Sequence, residues 1–372
     1  MRIATVEYFR LRYPLPKAYG DANGLKSARQ TCLIRLRTTD GVEGWGELFA
    51  RRAGADDCRA ASELAVGSPV LASNPLVERL KAVSLNMAAG FEIALCDIRG
   101  KMAGMCLADL LGGRFRDSQP SYASLQNVCE DEDVAAAAVR EAHLAMERGH
   151  TSLKMKVGWH APARDIAWVR RVLDALPEGV PLAIDANRAL DIPAARRFID
   201  ELTATGRIMW FEEPLSKAWP EGYRELRQGC GMAIAGGESM DMAMLRQVIA
   251  SRAMDIVNPD LVGHGGIANM QHLFALCAAH GVRLVPHVFD GQLVRVATLH
   301  LLAAQPDWSE RQSPYRASPL ECDISDNLLR DDLLESRLVP DRDGCVPVPI
   351  GPGLGVSVNE RLLRRYGEQL AA

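Results

Sequence analysis

The sequence predicts an α/β fold, a barrel of parallel strands alternating with helices, preceded by an α+β domain. Three observations predict it. Six short apolar runs between Ser152 and His287 each end in a residue able to bind a metal or move a proton. They recur about once per βα unit: from Asp185 to Glu212 and from Glu212 to Glu238 the intervals are 27 and 26 residues, room for one strand, one helix and two short loops. Upstream, the pattern is antiparallel instead. A continuous apolar run bounded by loop residues reads as a strand buried on both faces, which occurs where helices cover a parallel sheet. In a barrel of such strands, residues distant in sequence converge at the C-terminal strand ends around one cavity.

Taken in order, the chain opens on Met1-Arg2-Ile3-Ala4-Thr5-Val6-Glu7, which reads directly into a strand. Residues 32–39 and 42–47 flank Asp40-Gly41, the signal of a hairpin turn. Between about residues 54 and 112 the pattern turns helical, through Leu64, Val70 and Leu71, then Phe91, Ile93, Ala94 and Ile98, and Gly112-Gly113 supplies a helix stop. From about Ser121 the βα alternation begins. Helices are expected over residues 134–148, 163–176, 194–205, 242–251 and 268–280, with apolar residues at three-and-four spacing. The apolar runs are residues 152–156, 182–187, 208–214, 232–238, 254–260 and 282–287. From about Leu338 the tail holds Val346-Pro347-Val348-Pro349, Gly351-Pro352-Gly353 and a last helix, and reads as outside the barrel.

With 372 residues, 48% hydrophobic and 24% charged, the chain has ample apolar material for a large core. A net charge of −4 leaves no basic footprint for nucleic acid or an anionic membrane, and small-molecule chemistry becomes the default. Nine cysteines with no Cys-x-x-Cys suggest neither a disulfide framework nor a zinc knuckle; reduced thiols in a cytoplasm fit best. No signal-peptide pattern or membrane-length apolar stretch is expected.

Any single acid in this set is most often a solvated loop carboxylate, so the joint pattern carries the argument. Carboxylates from successive strand ends suit a hard divalent cation, and Mg²⁺ tolerates a few protein ligands completed by water or substrate oxygens. Glu212 and Glu213 are adjacent on a strand, so only one of them faces the barrel mouth. Lys154 and Lys156 are two apart and share a face, with Met155 directed the other way. Two partly desolvated ammonium groups side by side are expected to lower each other's pKa, making a usable base. Asp260 beside His287 would orient the imidazole and favour its protonated form. His143, His272, His280 and His300 lie on helical stretches and read as packing or surface residues.

The ordered set Lys154-x-Lys156, Asp185-x-Asn187, Glu212-Glu213-Pro214, Gly237-Glu238, Asp260 and His287 resembles the enolase superfamily, specifically its mandelate racemase subgroup. Ala94-Leu95-Cys96-Asp97-Ile98-Arg99-Gly100-Lys101, followed by Leu110-Leu111-Gly112-Gly113, is similar to that family's signature between capping domain and barrel. The resemblance implies a modified (β/α)7β TIM barrel over residues 121–325. Residues 1–120 form an α+β capping domain, to which residues 326–372 return. It implies Mg²⁺ on Asp185, Glu212 and Glu238, which is what selects Glu212 over Glu213. It further implies Lys156 as acid/base on one substrate face with Lys154 as its electrostatic neighbour, and the Asp260-His287 dyad as acid/base on the other. Glu321 matches the glutamate that hydrogen-bonds the substrate carboxylate, with Glu310 as second choice. A dimer or octamer is expected on the same ground.

A proton next to a carboxylate is weakly acidic because its removal leaves a dianion; in sites of this superfamily a Lys or His base works with Mg²⁺ that stabilises the enediolate. The favoured outcome is dehydration of an acid sugar, an aldonate or aldarate, to a 2-keto-3-deoxy acid. Reprotonation or ring closure through the same enediolate would make the chain a racemase, epimerase or cycloisomerase. The segment from Asp255 through Gly353, with Asn258-Pro259-Asp260 and Gly265-Gly266, is similar to enzymes acting on galactarate or its lactone. A non-catalytic metal-binding barrel is the reading from another class, but it gives no physical reason to hold these groups at strand ends. Asn187, Arg51 and Arg52 are candidate substrate contacts, the arginines for a second carboxylate. Specificity is expected in capping-domain loops near Pro14 to Gly24 and Glu47 to Ala55.

Overall fold

The structure, a computed structural model, describes residues 1–125, 128, 133–289, 291–308 and 315–370. Strands β1 (Ile3–Asp21) and β2 (Gly24–Thr38) form a long antiparallel hairpin, and β2 turns through Asp40-Gly41 into β3 (Glu43–Leu48). The stretch from Pro14 to Gly24, expected as loop, is therefore strand up to a tight turn. Among the described residues, β1 has no partner on its other side between Leu11 and the bridge from Gly20 to Val128, and such an edge tolerates proline because no ladder donor is lost. Its pairing with β2 shifts register between Pro14 and Tyr19 and runs on to Asp21 opposite Gly24.

Helices Ala55–Ala65, Asn74–Val83 and Leu85–Ala103 complete the N-terminal domain. The last starts where the Ser84 hydroxyl accepts from Met87 N at 3.1 Å and stops at left-handed Gly104. Its Asp97 accepts from Trp45 N (3.0 Å), Lys101 Nζ (2.8 Å) and Leu354 N (2.9 Å). One buried carboxylate thus joins β3, this helix and the C-terminal segment, the physical content of the Ala94 to Lys101 motif.

Eight parallel strands follow: β4 (Ser118–Ser124), β5 (Leu153–Lys156), β6 (Leu182–Asp185), β7 (Ile208–Glu212), β8 (Ile234–Gly236), β9 (Ile256–Val257), β10 (Arg283–Leu284) and β11 (Leu320–Asp323). They pair in sequence order from β4 to β10, with β11 on the open side of β4. The two sheet ends meet where Ser318 Oγ donates to Leu284 O (2.7 Å) and Val288 N donates to Glu321 Oε2 (2.9 Å). A helix of eight residues or more follows each of β4 to β10, while β11 leads only to the short Leu328–Asp331, so the unit is (β/α)7β. Inside, Tyr122, Ala183, Trp210, Ala235, Ile256, Val285 and Tyr315 form one apolar layer, Tyr122 meeting Trp210 edge-on at 5.2 Å. Side chains two positions on share the inward face, which carries Asp185 above Ala183 and Glu212 above Trp210 to the mouth.

The chain then returns. β12 (Cys345–Pro347) pairs antiparallel with β4, and β13 (Gly367–Leu370) pairs with β1 over Tyr8 to Leu11. The two domains also share helix ends. Glu47 Oε2 accepts from Leu293 N (2.7 Å) and Val294 N (3.1 Å) at the start of helix Gln292–Ala303, and Glu92 Oε1 accepts from Ala268 N (3.2 Å) at the start of Ile267–His280. Gly291 and Gly266, which precede those helices, have no side chain to cap them, and a methyl group at either would overlap the incoming carboxylate. Among the described residues no helix is long and apolar enough to cross a membrane.

Candidate active site

β5 delivers two lysines to the barrel interior while Met155 packs outward among the helices. Lys154 Nζ lies 2.8 Å from Glu212 Oε1, 2.8 Å from Glu321 Oε1 and 3.8 Å from Asp185 Oδ2, over the Tyr122 ring. Lys156 Nζ lies 2.6 Å from Asp185 Oδ2. The Glu212 carboxylate also accepts from Trp210 Nε1 at 2.9 Å. After β10, His287 sits between two acids, Nδ1 at 3.1 Å from Asp260 Oδ2 and Nε2 at 3.0 Å from Glu238 Oε2. Asp260 is fixed in turn, its Oδ1 accepting from Val262 N and Gly263 N, both at 2.8 Å.

Lys156, Asn187, Glu238, Asp260 and His287 line one cavity of ≈ 900 Å³, and Arg51 and Arg52 line its capping-domain side. Lys154, Asp185, Glu212 and Glu321 lie beneath its floor, each no more than 1% exposed. Asn187 N–H donates to Asp185 Oδ1 (2.9 Å), and its own Oδ1 is buried with no hydrogen-bond partner among the described residues. Arg51 and Arg52 stack on Phe49 at 6.0 and 5.4 Å, on a turn clamped where Asn86 accepts from Phe49 N (2.9 Å) and donates to Arg52 O (2.9 Å). Glu310 lies outside the described residues.

The electrostatics correct one expectation. The two lysines do not depress each other to a low pKa. Burial and the neighbouring ammonium do oppose the charge on Lys156, but the Asp185 carboxylate against it prevails and holds it above its ordinary value. For Lys154, burial is likewise outweighed by Glu212 and Glu321. His287 is held well above the ordinary imidazole value: burial opposes its charge, and Glu238 and Asp260 overcome it. Burial pushes the Glu212 carboxyl up to about 7 and Glu213 up to about 8, with neighbouring carboxylates adding to both. Burial acts the same way on Glu321, but Lys154 and His287 bring it down to about 2.

Among the described residues no three His, Cys, Asp or Glu side chains stand grouped as a cation cage. Each acid of the expected Mg²⁺ set instead lies against a cationic side chain. The donor chemistry nevertheless fits the ion. Six carboxylates, Asp185, Glu212, Glu213, Glu238, Asp260 and Glu321, face four cations, Lys154, Lys156, Arg188 and protonated His287. These six acids outnumber the four cations and offer oxygen donors only, the donor set that a hard divalent cation takes.

Several cavity residues escaped the sequence reading. Arg188, next after Asn187, pairs with Glu213 at 2.9 Å. Arg29 on β2 is 6% exposed, donates from Nε to Tyr19 OH (2.7 Å), pairs with Asp323 (3.3 Å) and lies 4.1 Å over the Phe289 ring, which stacks on His287. Lys26, Phe289 and His264 also line the cavity. Arg188 follows directly on a motif and could have been found from it; Arg29 lies in an alternating strand with no marker of function.

Residues 137–362 match the family described as enolase C-terminal domain-like, and residues 9–112 match the mandelate racemase / muconate lactonizing enzyme N-terminal domain. The chain is 31% identical to a D-galactarolactone cycloisomerase of Agrobacterium fabrum, covering 98% of this chain and 99% of the relative. Among solved structures it is similar to an enolase superfamily member from Polaromonas sp. JS666, with TM-score 0.86 and 28% identity over 98% of this chain and 97% of the other. It is also similar to L-talarate/galactarate dehydratase from Salmonella typhimurium LT2, liganded with Mg and L-lyxarohydroxamate, with TM-score 0.84 and 27% identity over 99% and 93%. The relatives named for an activity are enzymes, one a cycloisomerase and one a dehydratase. The (β/α)7β barrel, the capping domain and the two family matches together make this chain a member of the enolase superfamily, in its mandelate racemase/muconate lactonizing enzyme group.

Proposed function

We propose that the protein abstracts the proton α to the carboxylate of an acid sugar and then expels a hydroxide as water, giving a 2-keto-3-deoxy acid. The observation that carries this reading is the order around the sheet. Lys156 on β5 and His287 after β10 open on the same cavity from well-separated strand ends, with Asp185 and Glu212 at the ends of β6 and β7 and Glu238 just after β8 between them. Two proton-transfer groups on opposite sides of a carboxylate-binding floor suit removal of a proton on one face and donation on the other. When bound by Asp185, Glu212 and Glu238, Mg²⁺ would supply stabilisation of the second negative charge that develops on the substrate carboxylate.

The chain's own groups do the rest. Lys154, beneath the floor between Glu212 and Glu321, adds fixed positive charge on the carboxylate side. Glu321, held by Val288 N, is the acceptor for a protonated carboxyl edge or hydroxyl. Asp260 fixes the imidazole so that Nε2 of His287 faces the cavity side of Glu238 and can donate to a departing hydroxyl. Arg51 and Arg52, on the capping-domain side of the cavity, are placed to meet a second carboxylate, which favours an aldarate or its lactone over an aldonate.

A second reading has its own support. The relative at 31% identity over nearly the whole chain is a cycloisomerase of a sugar lactone, and the same two groups could protonate or deprotonate the α-carbon while the ring oxygen leaves or returns. Incubating aldonates, aldarates and aldarolactones with enzyme and Mg²⁺ in D₂O separates the two. A 2-keto-3-deoxy acid that carries deuterium at C3 and forms from an open-chain acid sugar with loss of water establishes dehydration; conversion of a lactone alone, without loss of water, to a product isomeric with it establishes cycloisomerisation. Neither exchange nor product across the series would remove both.

A further inference from the structure

We infer that Arg188 is a positioning residue that couples cation binding at the strand ends to the seating of the β1–β2 hairpin over the cavity. Its backbone is unusual to begin with. Asn187 (φ 43°) and Arg188 (φ 69°) are consecutive left-handed residues, and Glu213 on the neighbouring strand end (φ 39°) is a third. Asparagine tolerates this conformation; arginine and glutamate adopt it only where the surroundings enforce it, typically at functional sites. Here the two strained ends hold each other, Arg188 N–H donating to Glu213 O at 2.6 Å.

The side chain spans three partners. Nη1 lies 2.9 Å from Glu213 Oε2 and 3.8 Å from Glu238 Oε1, and Nη2 donates to Asn23 Oδ1 at 3.3 Å. Glu213 is otherwise occupied, its Oε1 accepting from Ser239 Oγ at 2.7 Å. Asn23 sits in the turn between β1 and β2, next to Asp21 at the end of β1, which lines the cavity with Lys156. Arg188 is thus a charged link from the acids of β7 and β8 to the tip of the capping domain.

The direction of coupling follows from Coulomb's law. A divalent cation on Glu238 both occupies the acid that Arg188 shares and repels the guanidinium, leaving Glu213 and Asn23 as its anchors. Arg188 also neutralises Glu213, whose unpaired carboxylate would otherwise compete with Glu238 for the ion. Cation binding should therefore tighten the hairpin, and the hairpin, once seated, should favour the cation by the same factor. The inference rests on the Mg²⁺ assignment above.

The test needs no substrate. Mg²⁺ binding is read by calorimetry, and hydrogen exchange of residues 19–26 is followed by mass spectrometry, with and without Mg²⁺, in the wild type, Arg188→Gln and Asn23→Ala. The wild type is expected to slow exchange in residues 19–26 by about fivefold or more when Mg²⁺ binds. Both variants are expected to bind Mg²⁺ while their hairpins ignore it, Asn23→Ala serving where loss of Arg188 impairs folding. Mg²⁺ that binds the wild type without slowing the hairpin overturns the coupling, as does a response that survives in both variants. Absence of any Mg²⁺ binding overturns the metal assignment and the coupling with it.

Discussion

Lys156 and His287 both carry charge in this arrangement because a carboxylate lies against each, Asp185 for the lysine and Glu238 with Asp260 for the histidine. A lysine so paired is an acid, and it becomes a base only when its carboxylate partner is engaged elsewhere. The same acids are the ones assigned to Mg²⁺, so cation binding and activation of the base draw on one resource. Lys156→Ala and His287→Ala should each lower turnover by about 10²–10⁴-fold, measured as α-proton exchange in D₂O. Lys156→Ala should also bind Mg²⁺ more tightly than the wild type, because it frees Asp185 from its ammonium; calorimetry showing weaker binding would mean Asp185 is not a ligand.

At the scale of elements, the strand ends were readable because their chemistry is periodic: an apolar run, then a polar residue, once per βα unit. Periodicity has no hold on residues that reach the cavity from turns and edges. Arg188 sits in a strained turn, and Arg29 lies on a ribbon whose Pro14, Pro16 and Gly20 read as loop, although strand pairing reaches Pro14 and resumes from Tyr19 to Asp21. The sign of the lysine shifts was hidden too, since it depends on carboxylates from other strands lying within 3 Å. Glu47 was visible only as a strand residue, yet it holds two amides of a distant barrel helix, with Thr31 Oγ1 donating to its other oxygen at 2.5 Å. Glu47→Ala leaves those amides buried without an acceptor and should destabilise the protein by about 1–3 kcal/mol, measured by urea unfolding. Full rescue by Glu47→Asp is not expected, because the shorter side chain cannot reach both partners.

At the scale of the whole molecule, protons couple to stability at several buried sites with opposite signs. Burial, reinforced by Arg295, brings His150 down to about 3, and burial brings His300 down to about 4 against its bond to Leu354 O. The unfolded chain takes these protons near pH 6.5, so the contribution of the two histidines is complete above that pH. It falls as pH declines, by up to about 1.4 kcal/mol per pH unit for each. Glu212 and Glu213, raised to about 7 and 8, work the other way, since the folded protein protonates them before the unfolded chain does. The difference between wild type and the His150→Gln/His300→Gln variant isolates the first effect: the variant should lose less stability than the wild type between pH 6.5 and 5, in urea unfolding at each pH. An unchanged gap across that range would show that neither histidine is neutral by compulsion.

The shared helix ends bear on how this molecule could be rebuilt from parts. Two barrel helices begin at glycines with no cap of their own and take their acceptors from Glu47 and Glu92 across the domain boundary. A capping domain grafted from a relative, in the hope of moving its substrate preference onto this barrel, must therefore bring acids at both positions. Without them the hybrid would lose its barrel helix starts before its altered pocket could be assayed. The boundary best suited to exchange is the β1–β2 turn itself, which faces the cavity and caps no helix.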